Sequence, residues 1–223
     1  MKITGLTVSV GYSELLSLGL LTWKNGLDDL LVITNLRKDP DTVNLCDAAG
    51  VNWESTDAFW LNGAKFNKGR AIAEAYRRLN PPDWVLFFDA DCVPPENWRE
   101  LVEKQNLTPD NLYGARRFQV PENTLIPDNE PAGYFFLFHS QCPQGLRRPI
   151  VPTSYSHCGN YDSDFSFRWQ RKHRVFLDLN LIHHGEPGKN WCGIGHEQEV
   201  EALHAARRAG FRWQDETIPG AGE

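Results

Sequence analysis

The chain has 223 residues and a formal charge of −6. That length suits one well-buried core, and a mildly acidic surface excludes sequence-independent nucleic-acid binding, which must neutralise phosphates. Five cysteines (Cys46, Cys92, Cys142, Cys158, Cys192) are scattered, odd in number and without a CxxC pair, which argues against a disulfide framework and for a reduced, cytoplasmic chain.

Ile3 to Val10 reads as a buried strand ended by Gly11, and no secretory leader is expected before it. Glu14 to Lys24 has helical periodicity and stops at Asn25-Gly26. Leu30 to Thr34 is a second strand. Asp41 is the expected N-cap of a helix through Ala49, with Gly50 behind it. Val51 to Ser55 is a third short strand. Asn67 to Leu79 carries Ile72, Ala75, Tyr76 and Leu79 on one helical face and ends at Pro81-Pro82. Trp84 to Phe88 is uninterrupted and apolar, as a strand buried on both faces must be. The alternation of strands and helices predicts a mostly parallel α/β sheet, with ligands beyond the carboxyl ends of its strands.

The second half is less regular. Asn97 to Gln105 and Gly159 to Trp169 contain helix patterns, and Tyr113 to Val120, Tyr134 to His139 and Arg174 to Ile182 contain strand patterns. Pro121 to Pro131 reads as a long loop near a site. Glu197 to Ala209 is an amphipathic helix, and Thr217 to Glu223 a tail. No apolar run approaches the ~20 residues of a transmembrane helix, which leaves only a peripheral membrane role open.

Two segments carry the first chemical signal. Asp89 and Asp91 follow the apolar strand at an i, i+2 spacing, which in extended backbone projects both carboxylates to one side. Two adjacent anions are unfavourable unless a cation joins them, and hard oxygens suit Mn²⁺ or Mg²⁺. A solvated turn is the plainer alternative. Asn67-Lys68-Gly69-Arg70 sets two cations at a helix start, where the dipole disfavours them unless a phosphate binds there. Otherwise Lys68 and Arg70 are ordinary surface charges.

Phe66-Asn67-Lys68-Gly69-Arg70-Ala71, followed by Trp84-Val85-Leu86-Phe87-Phe88-Asp89-Ala90-Asp91, resembles the family 2 glycosyltransferases. Their helix commonly opens on an N-K-G-x-A or G-K-x-x-A-like segment, and a metal-binding DxD or DAD follows the next strand. The resemblance implies the GT-A fold, a Rossmann-like, mostly parallel mixed sheet flanked by helices. It also implies a nucleotide-diphospho-sugar donor and a divalent metal. On this reading residues 1–223 are one domain, with a nucleotide-sugar half over 1–110, an acceptor and catalytic half over 111–215, and a tail over 216–223. The implied donor contacts are Ser9, Gly11, Asn35, Lys68, Arg70 and Asp89. Val8-Ser9-Val10-Gly11-Tyr12 lacks the family's proline-led opening, and Asn35 stands where many relatives place an acid for uridine. A UDP-sugar is the expected donor and a GDP-sugar the alternative.

Gly159-Asn160-Tyr161-Asp162-Ser163-Asp164-Phe165-Ser166-Phe167-Arg168 resembles the family's G-x-E-D-x-D-L-x-x-R segment, with Tyr161 in place of the glutamate. By that match Asp162, with Asp164 beside it, takes the catalytic position, where a carboxylate accepts the acceptor's proton in an inverting transfer. Helix capping, with Arg168 as an i+4 partner of Asp164, is compatible with that role. His183-His184-Gly185-Glu186-Pro187-Gly188-Lys189-Asn190-Trp191 is similar to the H-x-x-G-P-x-K-P-W segment of the family 8 enzymes. That similarity implies His183 as a metal ligand, His184 as its alternative, and Lys189 and Trp191 as donor contacts. It also implies retention of configuration, so the two resemblances differ on stereochemistry.

The sequence thus predicts a metal-dependent glycosyltransferase with Asp89, Asp91 and His183 on Mn²⁺ or Mg²⁺. Its acceptor would be a glycan, lipid-linked or protein hydroxyl. A nucleotidyltransferase acting on sugar phosphates and a non-catalytic nucleotide- or sugar-binding module are the rivals. A zinc site from His157, Cys158, Cys192 and His196 fits no standard spacing.

Overall fold

The computed structural model describes residues 1–79, 81–120, 124–126, 130–156 and 161–185. Within them the first half follows the expected alternation: β1 (Ile3–Val8), α1 (Ser13–Gly26), β2 (Asp29–Thr34), α2 (Pro40–Ala49), β3 (Asn52–Ser55), α3 (Lys68–Leu79) and β4 (Trp84–Asp89). Then come β5 (Cys92–Val93), α4 (Trp98–Glu103), β6 (Leu112–Gln119), β7 (Thr124–Leu125), β8 (Phe135–His139), α5 (Tyr161–Ser166) and β9 (Arg174–His183). The sheet runs β3-β2-β1-β4-β8-β6-β9-β5, with β7 paired to β6. It is α/β and mixed, with helices on both faces, as the sequence predicts.

The strand directions decide where the site lies. β3, β2, β1 and β4 are mutually parallel. β8 is antiparallel to β4, and β6 is antiparallel to β8. Two reversals restore the original direction, and β9 runs parallel to β6. The carboxyl ends of β1, β4, β6 and β9 therefore open on the same edge of the sheet. The start of α3 meets that edge too, because a crossover helix runs back against its parallel strands.

Burial on both faces holds this frame. Along β4, Trp84, Leu86 and Phe88 pack with Trp23 of α1, Trp98 of α4, and Phe135 and Leu137 of β8. Val85 and Phe87 pack on the other face with Ile72 and Tyr76 of α3, Phe136 and Phe138 of β8, and Phe165 of α5. This period-two division of a continuous apolar run is what a strand between two helical layers requires. Trp23 stacks on Phe88 at a centroid distance of 4.4 Å, and its indole N–H donates to the Cys92 carbonyl at 2.9 Å, tying α1 to the start of β5.

Several local expectations are corrected. Strand β1 stops at Val8; Ser9 N still donates to the Ile33 carbonyl of β2 at 3.0 Å, while its Oγ meets Thr42 Oγ1 of α2. Helix α2 is capped by Asp39, whose Oδ1 accepts from Thr42 N at 3.1 Å, and Pro40 takes the first helical position where no N–H is needed. Asp41 falls inside the first turn. The segment expected as a long loop carries β7, and α5 and α4 are shorter than their patterns. The helix expected over 197–209 and the tail over 217–223 lie outside the described residues.

Asp39 holds two loops at once. It is 4 % exposed, and besides capping α2 its Oδ2 accepts from Gly11 N at 2.7 Å and from the Thr42 hydroxyl at 2.6 Å. Asp39→Ala leaves these donors without their acceptor and should cost about 2 kcal/mol or more in urea denaturation. A change within about 0.5 kcal/mol would show that water replaces the carboxylate fully.

Candidate active site

Asp89 is the last residue of β4, and the turn Ala90-Asp91 leads into β5. The structure gives each carboxylate its own basic partner. Lys68, the first residue of α3, turns its Nζ onto Asp89 Oδ1. The Asp89 side chain keeps 30 % exposure, so a ligand can reach it. Burial pushes its carboxyl above the ordinary value; Lys68 pulls it back, while Asp91 and Asp162 add to the rise. Asp91 Oδ2 faces His183 Nε2 at 3.4 Å. Burial pushes Asp91 up as well, but the His183 hydrogen bond and charge, with Lys68, outweigh it and hold the group below its usual range.

His183 reaches this place by backbone pairing. β5 and β9 are antiparallel with Cys92 opposite His183, and His184 N donates to the Asp91 carbonyl at 2.8 Å. Asp91, Cys92 and His183 bring their ligand atoms within 4.8 Å of one another. Burial drives the Cys92 thiol well above its ordinary value, so it stands as a neutral neighbour. Of the two histidines, the imidazole of His183 joins this group among the described residues and that of His184 does not. Asp89 stands outside it, with its carboxylate on Lys68. A Cβ on Gly185 would lie 2.2 Å from Asp91 Oδ2 and 3.1 Å from His183 Nε2, so glycine there leaves the gap between them open.

The start of α3 is built by Asn67. Its side-chain oxygen accepts from Arg70 N at 2.8 Å, and its amide donates to the Thr153 carbonyl at 2.7 Å. Gly69 permits close contact, since a Cβ there would meet the Pro152 carbonyl at 2.3 Å. The Arg70 guanidinium is half-buried and makes no hydrogen bond or ion pair among the described residues. The Lys68 ammonium also lies 5.7 Å from the ring centroid of Tyr161, the residue that stands in place of the family's glutamate. On α5, Asp162 Oδ2 accepts from Gly133 N at 3.3 Å. Asp164 accepts from the Tyr155 hydroxyl, which holds α5 to the preceding segment. Arg168 donates to the Pro149 and Ile150 carbonyls at 3.1 and 2.6 Å.

The side chains of Ser9 and Asn35 belong to the loop scaffold. Ser9 and Asn35 are 1 % and 2 % exposed. Ser9 Oγ meets Thr42 Oγ1 at 3.0 Å, and the Asn35 amide donates to the Thr56 carbonyl and Asp57 Oδ1 while its oxygen accepts from Lys38 N. Gly11, at φ +72°, lies exposed beside a cleft of about 280 Å³ with Tyr12, Lys38 and Asp39. Lys189, Trp191 and the cluster of His157, Cys158, Cys192 and His196 lie outside the described residues.

No protein-family model matches the chain, and no curated protein sequence matches it. Solved structures share its fold. Glucosyl-3-phosphoglycerate synthase from Mycobacterium tuberculosis, in complex with phosphoglyceric acid, aligns at TM-score 0.63 and 12 % identity over 96 % of this chain and 81 % of that one. The same enzyme with Mn²⁺, UDP-glucose and phosphoglyceric acid aligns at TM-score 0.63 and 13 % identity, with the same coverage of each chain. The inositol-1-phosphate CTP transferase from T. maritima aligns at TM-score 0.55 and 9 % identity over 94 % of this chain and 98 % of that one. These likenesses place the described sheet in the GT-A fold.

The Lys68–Asp89 pair has a measurable signature. Lys68→Met removes the cation, so the Asp89 carboxyl rises further above its ordinary value. An acid with a raised folded pKa is destabilising while ionised and recovers stability as pH falls and it protonates. The variant should lose ~1–3 kcal/mol near pH 7, less than for a fully buried pair because Asp89 is partly exposed. The deficit should shrink towards pH 5 in urea denaturation, and a pH-independent deficit would assign the loss to packing.

Proposed function

We propose that this chain is a metal-dependent glycosyltransferase that moves a sugar from a nucleotide-diphospho-sugar to an acceptor hydroxyl. The observation that carries the reading is the Asp91–His183 pair beside Asp89–Lys68, at the carboxyl edge of a GT-A sheet. The donor set fits a divalent cation: a carboxylate oxygen and an imidazole nitrogen face each other at 3.4 Å, and Gly185 has no Cβ to fill the gap. A mixed nitrogen and oxygen pair favours Mn²⁺ over Mg²⁺, which prefers oxygen alone. The likeness to an enzyme solved with Mn²⁺ and UDP-glucose supports the same choice.

Asp91 and His183 would hold the cation, with Asp89 beside them. A bound cation supplies neutralisation of the charge that gathers on the leaving diphosphate. Lys68, at the start of α3, adds a positive charge that can turn from Asp89 to a phosphate oxygen. The guanidinium of Arg70, two residues further on, makes no hydrogen bond or ion pair among the described residues and can do the same. The cleft at Gly11, Tyr12 and Lys38 would take the nucleoside, with uridine the expected base. Asp162 lies close enough to raise the Asp89 carboxyl, yet among the described residues its carboxylate makes only a long hydrogen bond to Gly133. That leaves a carboxylate able to accept the acceptor's proton as the new bond forms, which makes the transfer inverting.

A nucleotidyltransferase reading draws on the likeness to the inositol-1-phosphate CTP transferase. It calls for an extended glycine-rich, basic loop after β1, and Gly11-Tyr12-Ser13-Glu14 carries an acid there instead. Metal-dependent release of nucleoside diphosphate from a nucleotide sugar supports the glycosyltransferase. Release of pyrophosphate from a nucleoside triphosphate supports the rival.

Mn²⁺ and a nucleoside diphosphate together should raise the melting temperature more than the sum of their separate effects, since both bind one folded site. Asp91→Asn should abolish that excess and leave the apo melting temperature nearly unchanged. Retention of the full excess would remove Asp91 from the metal site.

Asp162→Asn should leave donor and metal binding near normal and slow transfer by ~10²-fold or more. If Asp162 serves only the helix start, Asn replaces it with little change in rate. A product of retained configuration, read by NMR, would take the base role from Asp162 whatever the rate of the variant.

A further inference from the structure

Gln119 ends β6, which runs parallel to β9, in register with His183. The orientation of its side-chain amide follows from its neighbours. Nε2 donates to the Gly185 carbonyl at 2.8 Å and lies 3.2 and 3.4 Å from the carbonyls of Val120 and His183. Three acceptors around one end place the NH₂ there, because the reversed amide would set oxygen against three oxygens. Oε1 therefore faces His183 Nδ1, at 2.6 Å. An oxygen acceptor at that distance requires Nδ1 to carry a proton. The neutral imidazole then has its lone pair on Nε2, the atom 3.4 Å from Asp91 Oδ2. Two acceptors facing each other repel unless a proton or a cation lies between them.

From this geometry we infer that Gln119 is a positioning residue of the metal site, holding His183 in its Nδ1–H form so that Nε2 is a ready ligand beside Asp91. The inference rests on Asp91 and His183 being the metal pair. In either charge state of His183, Nδ1 keeps its proton on Gln119, so a cation displaces at most the proton on Nε2. The same amide also draws in Gly185, whose missing Cβ leaves the gap open. One side chain thus sets both the ligand atom and the space in front of it. Hydrogen bonds of this kind to the second nitrogen of a ligating histidine typically change metal affinity by about 10–100-fold when removed.

The tautomer is read first, in the metal-free wild-type protein at alkaline pH, by two- and three-bond ¹H–¹⁵N correlations of the histidine rings. His183 is assigned as the ring signal absent from His183→Asn. The expected form is Nδ1–H, and an Nε2–H form overturns the proposal without need of any variant at position 119. Mn²⁺ affinity is then measured by electron paramagnetic resonance of the free ion. Gln119→Leu should weaken binding ~10–100-fold and shift the His183 tautomer towards Nε2–H. Unchanged affinity in a folded Gln119→Leu protein overturns the role of Gln119. Asp91→Asn separates the two claims. If it loses Mn²⁺ while Gln119→Leu keeps it, the metal pair stands and only the role of Gln119 fails. If Asp91→Asn binds Mn²⁺ as the wild type does, the metal pair itself is wrong and the inference falls with it.

Discussion

Two carboxylates two residues apart at the end of a strand buried on both faces cannot both stay charged without help. Asp89 and Asp91 sit where β4 leaves the core, and each has drawn a basic side chain from another part of the fold: Lys68 from α3, His183 from β9. The two pairs differ in kind. Lysine carries a mobile point charge that can leave for a phosphate. Histidine carries a directional nitrogen that a metal can take. The site therefore combines an exchangeable cation with a ligand held in place, and most other local features serve one or the other. Asn67 caps the helix that presents Lys68, and Gly185 keeps the space in front of His183 open.

The insertion of β8 makes this convergence possible. It pairs antiparallel to both β4 and β6, so the later strands point the same way as the parallel half. Without that double reversal, the carboxyl end of β9 would lie at the far edge, a strand length from Asp91. The burial that fixes β8 is heavy on both sides, with Phe135 and Leu137 in one layer and Phe136 and Phe138 in the other. The chemistry thus depends on an aromatic strand that takes no part in it. Rotating β8 by one residue would reverse every side chain it presents.

The loops on the nucleoside side follow a different logic. Ser9, Thr42 and Asp39 bond in series, Asp39 N donates to the Asn35 carbonyl at 2.8 Å, and the Asn35 side chain bonds Thr56, Asp57 and Lys38, a polar network that ties the ends of β1 and β2 together. Ser9 and Asn35, natural candidates for donor contact by position, are consumed by this network. The cleft is lined by Gly11, whose backbone bends at positive φ, by Tyr12 and Lys38, and by the acids Glu14, Asp39 and Asp41. A buried polar network must be fully satisfied to be tolerated, and a satisfied side chain has little left for a ligand.

The alternation of strands and helices, the buried β4 and the Asp89–Asp91 turn behind it were legible in the chain, because periodicity and turn chemistry act over a few neighbouring residues. So were Lys68 and His183 as residues worth watching. His183 was expected beside Asp91 from the resemblance, but the contact of Lys68 with Asp89 was not. Spacing along an extended strand placed both carboxylates together, but β4 ends at Asp89 and the turn sends Asp91 to a different neighbour. Gln119 gave no signal at all, since it lies 64 residues from His183 in sequence and matters only because β6 and β9 pair in register. The cap is Asp39 in place of Asp41 because Asp39 Oδ1 reaches Thr42 N and Pro40 takes the first helical position. The sequence by itself determined which elements form and which edge of the sheet carries the polar residues, since both follow from local pattern and burial. Only the tertiary structure decided which charge meets which, because that depends on the order and direction of strands far apart in the chain.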